Sequence, residues 1–237
     1  ETGQVASPMA PVTGIDQENL LIGSLLMAQK TSKIVEDEKA VFGDIYTNVP
    51  LKVLATKGAS VKFVPLSSHT TWAKLDVSRP KPKWVGEVTT PPTLPAKGTS
   101  MVIAADGYKY VKCINFFVML FEELGRSDAL PYRVAFMNTS ERTGKQLSTA
   151  VFRKCSMGAQ FYNQVYSLKT EKKTNDNGTF LVWAVDDAGE NKKEFVQQCT
   201  FWFEQLKTAN TEIAHEESTA NGAQPARQKV AEAEAQY

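Results

Sequence analysis

The chain has 237 residues, 42% of them hydrophobic and 22% charged, which is the ordinary make-up of a globular protein. No apolar run approaches the roughly 18 residues of a membrane helix, since the longest candidate, 113–120, contains Asn115 and runs into Glu122 and Glu123. The net charge of +1 hides a pattern: residues 1–40 and 210–237 each carry −3, while residues 41–209 carry +7.

A basic middle between acidic ends is the asymmetry expected of a polyanion binder, although an excess of this size also arises by drift. The N-terminus shows no basic region followed by an apolar stretch and a cleavage site, so no signal peptide is expected. Cys113, Cys155 and Cys199 are odd in number and far apart, which fits a reducing compartment and a cytoplasmic protein. The tripeptides starting at Asn138 and Asn177 match the glycosylation pattern, which means nothing without secretion.

Taken in chain order, residues 1–15 hold Gly3, Pro8, Pro11 and Gly14 among small residues and are expected to be disordered. Asp16 is a possible N-cap, and Leu20 to Met27 predicts a short helix within a helical segment, 16–40. Three strands are expected at 51–56, 59–66 and 70–76, separated by Gly58 and by Ser67-Ser68. Five prolines between Arg79 and Gly98 predict a long loop carrying Lys81, Lys83, Trp84 and Lys97. Strands resume at 101–104, 108–113 and 116–121, with a turn at Asp106-Gly107, and again at 132–138. Thr139 or Ser140 caps a helix whose apolar positions are Leu147, Ala150, Val151 and Cys155, and Gly158 ends it. Two strand-like runs, 161–172 and 179–186, flank an Asn-Gly turn. A second helix at 190–209 carries Phe195, Cys199, Trp202 and Phe203 on one side, and 210–237 reads as an acidic, Ala/Glu-rich disordered tail.

From Tyr108 onward the order is strand, strand, strand, helix, strand, strand. The class is therefore mostly β (α+β). An OB-fold-like Greek-key barrel with an inserted helix and a C-terminal helix is expected over a core at 41–209.

Signals of catalysis are sparse. The only histidines are His69 and His215, and no zinc or phosphate-loop spacing occurs, so neither metal nor cofactor is expected. Asp186-Asp187 could hold a divalent ion but is equally a solvated strand end. Cys155 beside Lys154 is better read as a core thiol than as a nucleophile.

Aromatic and basic residues interleave repeatedly: Trp72 with Lys74, Lys81 and Lys83 with Trp84, Tyr108 with Tyr110 and Lys112, and Tyr132 beside Arg133. A further set runs from Tyr162 and Tyr166 to Lys169, Lys172 and Lys173. Single-strand binders need this mixture, because cations follow the phosphates while rings stack the bases. Aromatics and lysines also decorate any strand, so each residue alone is better explained by packing. The recurrence of same-face sets is what points to nucleic acid.

Around Thr170–Trp183, with Asn177-Gly178 at its centre, the sequence resembles phage-encoded proteins of the single-stranded-DNA-binding type. The resemblance extends to Leu130–Phe136 and to Gly43-Asp44-Ile45-Tyr46. It implies an OB-fold, a role in replication, recombination or repair in the host cytoplasm, and an acidic tail that recruits partner enzymes. Here the tail's end, Glu232 to Tyr237, is diluted by alanine, a departure from that pattern. Single-stranded DNA is the expected partner and a homo-oligomer is open; the competing expectation is a structural or accessory phage protein without a nucleic-acid role.

Overall fold

An apolar run with no polar alternation needs a sheet covered on both faces. Strand β7 (Tyr108–Leu120) meets that need: every residue from Cys113 to Leu120 is buried. The computed structural model describes residues 21–78, 82–176, 178–208 and 212–213. Around β7 lie β1 (Leu21–Met27), β2 (Ile45–Asn48), β3 (Leu51–Ala55), β4 (Ser60–Asp76), β5 (Lys83–Val88) and β6 (Met101–Ile103). The chain continues through β8 (Tyr132–Met137), β9 (Gln164–Asn175), β10 (Gly178–Glu190) and the short β11 (Glu212–Ile213). The sheet order is β10-β9-β4-β7-β8-β1-β2-β3, with β5 on β4, β6 on β7 and β11 on β1. Helices are α1 (Lys33–Glu36), α2 (Glu141–Ser156) and α3 (Lys193–Thr208).

Because β4 and β7 run antiparallel over thirteen residues of β7, the same two strands serve two regions. Towards Leu120 they form the centre of the molecule. Towards Tyr108 they project as an arm flanked by β5 and β6. On the inner face, Phe63, Ile114, Phe116, Val118, Phe136, Leu168 and Trp183 pack against Leu147 and Val151 of α2. Gly144 permits this approach, since a Cβ there would lie 2.6 Å from the Phe136 Cβ. On the outer face, Val64, Leu66, Phe117 and Met119 pack against Cys199 and Trp202 of α3.

The mostly β, α+β class holds, as do the strand at 132–138, both long helices, the turn at Asp106-Gly107 and the β9–β10 hairpin. Five expectations change. The path of pairings is open, with β10 and β3 at its ends, so no pairing among the described residues closes a barrel. Leu21–Met27 is a strand, not a helix. It lies between β8 and β2, and its burial on both faces erases the alternation that marks a strand, while Gly23 sits where any Cβ would strike the Val49 carbonyl. Ser67-Ser68 is no hairpin but lies at the bulge in β4, which shifts the register by one residue between Pro65 and Ser67. Likewise 108–113 and 116–121 are one strand. The proline-rich stretch contains β5, an edge strand that begins just after Pro82, where a proline costs no ladder bond. The expected disorder of 1–15, the N-cap at Asp16, Lys81 and the tail from 214 onward lie outside the described residues.

Candidate nucleic-acid interface

Directly opposed residues of an antiparallel pair point to the same side, so the β4–β7 register fixes who shares a face. Trp72 lies opposite Lys112, Lys74 opposite Tyr110, and Asp76 opposite Tyr108. Lys83 of β5 joins that face opposite Asp76. This is the continuation of the inner face beyond the core, and the Trp72/Lys74 set and the Tyr108/Tyr110/Lys112 set, separate in sequence, become neighbours on it.

Asp106, in the β6–β7 turn, organises the face. Tyr110 Oη donates to Asp106 Oδ2 at 2.6 Å, and the Tyr108 N–H donates to Asp106 Oδ1 at 3.1 Å. Lys74 Nζ stands 3.4 Å from Asp106 Oδ2 and 3.9 Å from the centre of the Tyr108 ring, a cation–π contact. The Tyr110 hydrogen bond, and with it Lys74, holds the Asp106 carboxyl below its usual range. The same hydrogen bond pushes Tyr110 up. Desolvation works against the Lys74 charge, but Tyr110 and Asp106 outweigh it and its pKa is raised. The Lys112 charge reaches Glu141 at the start of α2, so the face continues towards that helix.

The outer face of the same strands carries a buried polar network. Arg133 Nη2 pairs with Glu87 Oε1, and its Nε donates to Asn115 Oδ1 at 2.8 Å. Asn115 Nδ2 donates to Thr71 Oγ1 and Thr71 Oγ1 to Glu87 Oε2, each at 2.8 Å. Cys113 Sγ closes the set on Asn115 Oδ1 at 3.1 Å, and burial pushes its thiol up to about 11. The network ties β5 across β4 and β7 to β8, and so holds the arm to the body.

The fourteen residues singled out in the sequence therefore separate. Trp72, Lys74, Lys83, Tyr108, Tyr110 and Lys112 share the inner face of the arm, although the Tyr110 ring is only 2% exposed and its hydroxyl is engaged. Trp84 lies opposite Leu75, on the outer face. Lys172 and Lys173 are exposed near the β9–β10 turn, and Lys169 beside them is paired with Asp186 at 2.7 Å. Arg133, Tyr162 and Tyr166 are interior: Arg133 in the network, Tyr162 against Phe203 of α3, and Tyr166 stacked on Phe63. Buried rings cannot stack bases, so Tyr110, Tyr162 and Tyr166 leave the stacking set. The sequence reading passes over Asp106 and over Arg142, Lys145 and Arg153. Their signal was present, since Arg142, Lys145 and Arg153, with Thr149 between the last two, recur at three- and four-residue intervals opposite the apolar stripe of α2.

Residues 8–212 match the family described as Pam3 phage gp34-like protein. The chain belongs to that family. It is thus a phage protein, and its Pam3 gp34-like region spans β1 to β10 and both long helices. No curated protein matches, and neither does any solved structure. Among the described residues of this gp34-like chain, no helix is long and apolar enough to cross a membrane.

Proposed function

We propose that this phage protein is a non-catalytic binder of single-stranded DNA that serves replication, recombination or repair without sequence preference. The observation that carries the reading is the inner face of the arm, where the β4–β7 register sets Trp72, Lys74, Tyr108 and Lys112 side by side with Lys83. Rings that stack bases and cations that meet phosphates are the two components such a surface needs.

The topology supports the reading. The spatial order β9-β4-β7-β8 places three strands side by side and returns a fourth beside the first, the order of a Greek key. Helix α2 lies between the third and fourth, and β10 follows as the hairpin partner of β9. That order is similar to the strand order of an OB-type domain and supports the reading, since such a domain binds through the loop between its first two strands and the loop between its last two. Here those positions are occupied by the arm segment between β4 and β7 and by the turn beside Lys172 and Lys173. The acidic end of the chain, 210–237, is where replication or recombination enzymes would be recruited.

The test is a titration of oligo(dT) against intrinsic tryptophan fluorescence at two salt concentrations. Affinity should fall by about 0.7 log units per decade of salt for each phosphate neutralised. Binding that ignores salt, or that prefers duplex, rejects the reading. One observation favours the competing role of a structural or accessory interaction protein. Val85, Leu94, Met101 and Ile103, all in or beside the arm, are exposed apolar residues. If oligo(dT) does not bind and those residues govern capture of another phage protein, that role replaces the first.

A further inference from the structure

Helix α2 buries Gly144, Leu147 and Val151 and turns a different chemistry outward. Arg142, Lys145, Thr149 and Arg153 recur there with Phe152, which is 72% exposed. Between this side of the helix and the β9–β10 hairpin runs a cleft of about 580 Å³, lined among others by Arg142, Lys145, Arg153, Tyr166 and Asp187. Neither Arg142 nor Arg153 makes an ion pair among the described residues, whereas Lys145 is paired with Glu141 at 2.7 Å. Tyr166, whose ring belongs to the core, also lines the cleft, and its buried hydroxyl has no hydrogen-bond partner.

We propose that this cleft binds the phosphate of a nucleotide unit, gripped by the guanidinium groups of Arg142 and Arg153 and by the hydroxyl of Tyr166. Arginine forks match phosphate oxygens in pairs, and uncommitted arginines facing a cavity are suited to that task. Burial, and then the Asp187 charge, push Tyr166 up to about 12, so its hydroxyl keeps its proton and is a donor to an anion. Asp187 would repel a bare phosphate but can accept from a sugar hydroxyl or a base amino group. The volume suits a mononucleotide rather than an inorganic ion. The nucleotide is either free or one unit of a single strand crossing from the arm. The site stands on its own residues and does not require the arm to bind DNA.

The experiment compares the full chain with Arg142→Gln/Arg153→Gln and with Tyr166→Phe, using dTMP and oligo(dT) as probes in calorimetric titrations. The wild type should bind dTMP, and the double variant should lose at least about tenfold, the scale of one or two lost charge-assisted bonds. Tyr166→Phe should weaken dTMP several-fold while its Tm stays level or rises, because it removes an unpartnered hydroxyl. If the cleft serves a strand, the double variant should also lower the oligo(dT) salt slope by about 1.4, two phosphates' worth. Oligo(dT) failing to bind while dTMP binds would remove the strand reading and leave the cleft. Absence of dTMP binding together with an unchanged oligo(dT) slope overturns the cleft, as does unchanged dTMP affinity in either folded variant.

Discussion

The two faces of the β4–β7 ladder each carry a cation beside a carboxylate, and the two pairs behave as different objects. On the outer face Arg133 and Glu87 are 4% and 14% exposed, and every polar neighbour they have is satisfied by another. On the inner face Lys74 and Asp106 are 26% and 34% exposed, with one side of the Tyr108 ring lying under the lysine. A buried, saturated network specifies how elements join, because leaving any member unpaired is costly. A half-exposed one contributes little to folding and leaves its cation near solvent, where a phosphate can compete for it. The outer face is the hinge post of the arm, and the inner face is its working surface.

The largest test of this contrast is Arg133→Ala, which strands Glu87 and Asn115 in the interior. It should cost about 3–5 kcal/mol in chemical denaturation, the penalty for breaking a buried pair. Lys74→Ala should leave the denaturation midpoint close to wild type. Trp183→Ala is the apolar reference. Trp183 belongs to the inner core, and its loss should also cost about 3–5 kcal/mol. Equal stability of the Arg133 and Lys74 variants would erase the distinction between the faces.

A smaller effect is expected at the contact of α2 with the sheet. Alanine is favoured over glycine in a helix by about 1 kcal/mol, so propensity alone makes Gly144→Ala stabilising. The new methyl would meet the Phe136 Cβ and the Ile114 Cβ, and overpacking of this kind costs about 1–3 kcal/mol. A net loss of stability is the expected result, and a gain would mean that α2 is not seated against β8 as closely as described.

These contacts also show what the sequence could and could not tell. The apolar positions of α2 and α3 and the Asn-Gly hairpin were legible, because helical spacing and turn chemistry are local. Leu21–Met27 was not, because a strand covered on both faces reads as a continuous apolar run. The long reach of β4 was hidden by Ser67-Ser68, a bulge whose residues resemble a turn. For the candidate site, period-two alternation correctly grouped Trp72 with Lys74 and Tyr108 with Lys112. It could not say that Tyr110 would be sealed by Asp106, or that Arg133 would be drawn inward by Glu87, since both partners come from other strands and turns.

The two rings grouped by alternation should now separate in their effects. Trp72→Ala should weaken oligo(dT) binding by about 1–3 kcal/mol, the increment for one stacked base, with little change in Tm. Tyr110→Ala removes the hydroxyl that orders Asp106 and a ring that is nearly inaccessible, so it should lower Tm instead. Fluorescence titrations and thermal melts on both variants decide the matter. If Tyr110→Ala alters only affinity and Trp72→Ala only stability, the Trp72 ring is the sealed one and the Tyr110 ring is the one that meets the bases.

The smallest effect concerns His69, which reads the state of the outer network without belonging to it. It lies opposite Asn115 and its ring rests on Phe117, with centres 5.3 Å apart. The residue as a whole is exposed, but contact with Phe117 and the strands beneath removes water from the ring. That desolvation, and then the Arg133 charge, hold its pKa below the ordinary 6.5, while Glu87 opposes them. The folded state therefore favours the neutral imidazole. The sign follows: the unfolded chain takes up a proton at a higher pH than the fold, so stability is lost as pH falls from 6.5 through the folded value. An NMR titration of the His69 ring should give a midpoint below 6.5 in the wild type. Glu87→Gln should lower that midpoint further, and Arg133→Gln should raise it towards 6.5. A wild-type ring that titrates at its ordinary value, or variants that shift it in the opposite directions, would mean that the Arg133 charge is not held beneath it.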